Sequence, residues 1–132
     1  MGVKQWAVRV VSPVSGPLRV LRDGLPLGEE IGVGQTTPVE VLLVSVGTCF
    51  ALSCHAAFKM RGEARVEFHV DVSARKHEEL PSRLSDIEVA AQFPTGATAE
   101  WATALTRLAK DLCTVTNTLS AQPACAVRVR GA

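Results

Sequence analysis

The chain has 132 residues, 47% hydrophobic and 20% charged, which is enough for one core and too short for two ordinary domains. A single domain over residues 1–132 is therefore expected. Fourteen Lys and Arg against thirteen Asp and Glu give a net charge of +1, which excludes a global field that recruits nucleic acid or an anionic membrane. Six aromatics, none of them Tyr, also exclude an extended base-stacking surface. The mean hydropathy of +0.20 excludes wholesale disorder and predicts more apolar surface than so small a globule hides alone, hence a homo-oligomer.

Residues 1–11 (MGVKQWAVRVV) carry Lys4 and Arg9 and lack a continuous apolar run with a small-residue cleavage site, so a cytoplasmic location is expected. In that reducing compartment Cys49, Cys54, Cys113 and Cys125 are expected as thiols. Residues 41–58 contain no Asp, Glu, Lys or Arg and sit at the lower limit of a membrane span. Ser45, Gly47, Thr48, Ser53 and His55 interrupt that stretch, and no second span is at hand to satisfy them, so it reads as a buried helix outside any membrane.

In chain order, residues 5–11 and 18–22 read as a hairpin punctuated by residues 12–17 (SPVSGP), and Asp23-Gly24 turns the chain. Residues 25–35 (LPLGEEIGVGQ) read as an irregular third strand at a sheet edge, because Pro and Gly weaken a central strand. Thr37 as N-cap, Pro38 at the first helical position and Glu40 in the first turn open a long helix. Arg61-Gly62 stops it after Met60. Residues 63–74 alternate with period two, placing Ala64, Val66, Phe68, Val70 and Val72 on one face. Residues 75–83 read as a loop and residues 84–93 as the returning strand. The helical spacing of Trp101, Ala104, Leu105, Leu108 and Leu112 predicts a second helix over 98–112, residues 113–120 a separate short helix, and residues 125–130 (CAVRVR) a last strand.

The chemistry-bearing residues are few. There is no CxxC pair, and Cys49 and Cys54, five apart on a helix, diverge, which argues against a structural zinc. His55, His69 and His77 lack metal-ligand spacing, so no metal is expected. No GxSxG, Walker or dinucleotide loop is present, and no cofactor is expected. Cys49 in mid-helix and Cys113 at a helix junction remain, as either reactive or packed thiols.

The run from Thr37 to Cys49 (TPVEVLLVSVGTC) resembles a pattern of Pro, Glu, a leucine pair, small residues and a Cys eleven positions after the Pro. Residues 112–119 (LCTVTNTL) are similar to its companion, a Cys followed by a short Pro-Val-Ser-like segment ending in Leu. Together they resemble the OsmC/Ohr family of thiol-dependent hydroperoxide reductases, as does the order of elements. The resemblance implies an α+β fold of three strands, a long buried central helix, two strands, two helices and a strand, in an intertwined homodimer. It also implies reduction of organic hydroperoxides, with Cys49 peroxidatic, Cys113 resolving, and a dithiol reductant resetting the disulfide.

A thiol far from the helix N-terminus needs a nearby cation to ionise. The family draws an Arg from the first hairpin turn, held by the Glu directly after the motif Pro. Here the turn at residues 12–16 has no Arg, Val39 follows Pro38, and Thr114 follows Cys113 in place of Pro. Glu40, with Arg19 or Arg22 from the adjacent strand, is the substitute expected to complete the site. These departures leave an alternative: a non-catalytic homodimer of the same fold that binds small molecules or senses redox state. Cys54 and Cys125 match no motif and are expected to be packing thiols.

Overall fold

Eight of the nine expected segments fold as secondary structure in the computed structural model, which describes residues 4–130. In chain order they are β1 (Gln5–Ser12), β2 (Arg19–Arg22), β3 (Leu25–Pro26), α1 (Pro38–Met60), β4 (Phe68–Lys76), β5 (Leu84–Gln92), α2 (Ala99–Leu112) and α3 (Thr114–Ala121), the first three strands arising from two of those segments and the irregular third. The five strands form one antiparallel sheet in the order β3-β2-β1-β4-β5. Period-two alternation turns Val8 and Val10 of β1 and Phe68, Val70, Val72 and Ala74 of β4 to the same buried face, and the helices cover it.

Helix α1 starts where its sequence says it must. Thr37 Oγ1 accepts the Glu40 N–H at 3.2 Å while Glu40 Oε1 accepts the Thr37 N–H at 2.8 Å, a reciprocal capping box with Pro38 as first helical residue. The helix lies on the sheet at Gly47, where a Cβ would stand 2.8 Å from Val10 Cγ2 and 3.0 Å from Val72 Cγ2. Only a residue without a side chain allows that approach. Half of its most apolar stretch is buried. Leu43, Val46, Phe50, Cys54 and Ala57 face inward, whereas Ser45, Leu52, Ala56 and Met60 are exposed, so α1 is a core helix with one stripe left open. Phe58, Phe68, Phe93 and Trp101 stack in a run of aromatic contacts, and Trp101 Nε1 donates to Glu63 Oε2 at 2.6 Å, which ties α2 to the α1–β4 connection.

Three expectations need correction. The strand expected from residue 63 begins at Phe68, because β1 ends at Ser12 opposite Phe68 and residues 63–67 have no partner across the ladder. The third strand is only Leu25–Pro26, since the glycines beyond it form turns, with Gly34 at φ +77. The last strand, expected over residues 125–130, is absent: the chain leaves α3 through left-handed Gln122 and runs beside no sheet edge. Val127 and Val129 are 93% and 94% exposed, a strand pattern without a neighbour to pair with.

Candidate active site

Glu40 is the one buried carboxylate on α1, 4% exposed, and the residues around it account for its burial. Arg22, on the short strand β2, places Nη1 2.9 Å from both Glu40 oxygens. The Thr37 N–H and hydroxyl donate to Oε1 at 2.8 and 3.1 Å. Burial alone would raise the carboxyl's pKa; the Thr37 N–H, the Arg22 guanidinium and the Thr37 hydroxyl outweigh it and hold it below the ordinary value of 4.5. Arg22 remains 41% exposed, with Nη2 and Nε uncommitted among the described contacts. Arg19 is exposed at the start of β2, opposite Val11, and Arg22 is the guanidinium that reaches Glu40.

Glu40→Gln removes the charge from this network and leaves a partly buried guanidinium without its partner. A loss of about 2 kcal/mol is expected, a Tm drop of roughly 8 °C. Because the native pKa is depressed, the stabilisation is complete above the carboxyl's ordinary pKa of 4.5 and disappears as pH falls through the native value. Thermal melts of the two proteins should therefore converge in acid and differ most at neutral pH.

Cys49 sits nine residues after Glu40, about 2.5 turns and ~13.5 Å along the axis, which places the two on opposite sides of α1. Cys49 is partly buried beside the outward stripe that holds Leu52. Arg22, pinned to Glu40, is therefore out of reach of the Cys49 sulfur of its own chain.

Cys113 is fully buried at the one non-helical residue between α2 and α3, φ −82 and ψ 98. The cysteine electrostatically coupled to it is Cys54, also fully buried, whose pKa is pushed up to about 12 by burial and then by the Cys113 thiol. Sequence reasoning missed this proximity, since Cys54 lies in no motif. Cys125 is exposed on the extended tail. His55 Nε2 lies 2.7 Å from the buried Ser12 hydroxyl and serves the core, with its pKa lowered by burial and then by Arg65. His77 accepts the Glu79 N–H within its own loop. Among the described residues no cluster of three metal-ligating side chains forms.

A cavity of about 370 Å³ opens between the segments that carry the two motif cysteines. Val46 and Phe50, which bracket Cys49 on α1, form one wall; Ile87 and Val89 of β5 and Leu119 of α3 continue it. Thr106 and Lys110 of α2 and Thr116 and Ser120 of α3 close the far side, and neither Cys49 nor Cys113 lines the cavity. Apolar atoms form most of the wall, suited to a hydrocarbon body, while Thr106, Lys110, Thr116 and Ser120 place polar groups on one side.

No curated protein matches the chain in sequence. A solved structure of an OsmC-like hydroperoxide resistance protein from Jannaschia sp. CCS1 superposes with a TM-score of 0.58 at 17% identity, covering 97% of this chain and 93% of that one; at that identity the likeness is one of fold. The family model for OsmC-like proteins matches residues 30–128, which include both cysteine motifs and the cavity between them. The chain belongs to the OsmC-like protein family.

Proposed function

We propose that the chain is a thiol-dependent peroxidase that reduces organic hydroperoxides as a homodimer, with Cys49 as the attacking thiol and Cys113 as the resolving one. The Cys49 thiolate attacks the outer peroxide oxygen, the O–O bond breaks, and the alcohol leaves with a proton, so Cys49 becomes a sulfenic acid. The Cys113 sulfur then attacks the Cys49 sulfur, water departs, and a dithiol reductant returns the disulfide to two thiols. The observation that carries this reading is the apolar cavity between the two cysteine-bearing segments. The hydroperoxide resistance named for the Jannaschia protein agrees with it.

Surface area supports the dimer. The chain exposes 9195 Å², against ~6,700 Å² for a compact monomer of its mass. Part of the excess is the extended tail beyond α3, and the exposed stripe of α1, with Leu52 and Met60, supplies apolar residues for an interface. In such a dimer the cation for Cys49 comes from the other chain: Arg22 has uncommitted nitrogens and Glu40 to hold it, and Arg19 stands on the same strand.

The test is reduction of cumene hydroperoxide with dithiothreitol, followed by subunit mixing. Cys49→Ser and Arg22→Ala are each expected to be inactive. Refolded together they should recover up to about a quarter of wild-type activity, since half the dimers are mixed and each holds one intact site. Inactive wild-type protein would favour the second reading, a binding or redox-sensing dimer, which the commitment of Glu40 to Thr37 and Arg22, with no thiol beside them in the same chain, supports. Leu119→Trp, which fills the cavity mouth, should lower kcat/KM for cumene hydroperoxide roughly tenfold and leave hydrogen peroxide little changed.

A further inference from the structure

At the end of the sheet where α1 begins, three cations converge on one hollow. Lys4 precedes β1, Lys76 ends β4 and Arg83 precedes β5; the Lys76 N–H donates to the Lys4 carbonyl at 2.8 Å, which locks the first two side by side. Lys4 stands two residues before Trp6 and Lys76 two after buried Ala74, both exposed, where the β4–β5 register shifts between Arg75 and Lys76. With Trp6, Val39, Ser82 and Leu84 they surround a hollow of about 250 Å³.

Among the described residues, none of these cations has a carboxylate partner: the ion pairs lie at Arg9, Arg22, Arg61, His69 and Arg75. Lys4 Nζ stands 5.3 Å from the centre of the Trp6 ring. Arg83 Nη1 donates to the Pro81 carbonyl at 2.8 Å and Nη2 lies 3.2 Å from His77 Nε2, contacts that fix the guanidinium without neutralising it. Val39 brings the first turn of α1, whose dipole is positive at this end, and the turn's only acid, Glu40, is committed to Arg22 and Thr37. Three cations and a helix N-terminus line this one small concavity and leave it electropositive.

We propose that this hollow is a binding site for a small phosphate monoester. The dianionic phosphate meets Lys4, Lys76 and Arg83, with the Ser82 hydroxyl as a further donor, and the organic part rests on Trp6, Val39 and Leu84. Two negative charges match three cations better than a single carboxylate does. The hollow is smaller than the ~300–1,000 Å³ of sites for drug-sized ligands, so the ester is small. Cys49 lies eleven residues into α1 from Pro38, ~16 Å away along the axis, so the site is separate from the thiol chemistry.

Phenyl phosphate titrated into the full-length protein at low salt tests this, read from the Trp6 indole and the Lys76 and Leu84 amides by NMR. Saturable shifts at these groups, with the Trp101 indole unmoved, are expected. Lys76→Glu and Lys4→Glu should each weaken binding about tenfold or more with spectra otherwise dispersed as in wild type and peroxide reduction unchanged. Inorganic phosphate should compete, and vesicles of phosphatidylcholine with phosphatidic acid should not bind beyond plain phosphatidylcholine. Absence of saturable shifts, binding indifferent to both charge reversals, or binding to the acidic vesicles alone would overturn the proposal.

Discussion

Cys49→Ser is expected to lower organic-hydroperoxide reduction by at least ~10³-fold, because serine supplies neither a thiolate at neutral pH nor a sulfur able to form a sulfenic acid. Cys113→Ser should behave differently. Its Cys49 still attacks the peroxide, so one equivalent of peroxide is consumed and a sulfenic acid persists that dimedone traps. Cys54→Ser is the informative control. Cys54 is as buried as Cys113 and lies beside it, yet its pKa near 12 leaves almost no thiolate at neutral pH, so activity is expected within about twofold of wild type. Initial rates with cumene hydroperoxide and dithiothreitol rank the three variants. Cys54→Ser as inactive as Cys49→Ser would move the chemistry to the inward face of α1.

Gly47→Val carries the largest expected effect on stability. The valine Cβ would enter space already filled by Val10 Cγ2 at 2.8 Å and Val72 Cγ2 at 3.0 Å, both methyls of buried strand residues with no room to retreat. Either α1 lifts off the sheet or the two strands shift. A cost of about 3 kcal/mol or more is expected, a Tm loss of roughly 10 °C. Gly96→Ala is the control, since a Cβ there meets nothing within 4 Å, and its stability should stay within about 0.5 kcal/mol of wild type. Equal melting temperatures for the two variants would show that α1 does not rest on the sheet at Gly47.

Local signals made α1 legible from end to end. Thr37, Pro38 and Glu40 state a capping box within four residues, Arg61-Gly62 states a stop, and the helix runs Pro38–Met60. The spacing of Trp101, Leu105 and Leu108 did the same for α2, whose N-cap is Thr98. What failed depended on partners distant in sequence. Residues 63–67 and 125–130 alternate as well as β4 does, but alternation states which face a residue would take and not whether a neighbouring strand exists. Arg19 and Arg22 were equivalent candidates because the choice between them is set by where β2 ends relative to the first turn of α1, a tertiary fact. Cys54 escaped for the same reason: five residues from Cys49 on a helix it looks unrelated, and only the packing of α1 against the α2–α3 junction brings it beside Cys113.

The most direct test of the two-cysteine mechanism is to add one equivalent of cumene hydroperoxide to the fully reduced protein and map its disulfides by peptide mass. The account predicts a Cys49–Cys113 disulfide formed in proportion to peroxide, with Cys54 and Cys125 still reduced. A Cys54–Cys113 disulfide with Cys49 untouched, or four free thiols after excess peroxide, would contradict it.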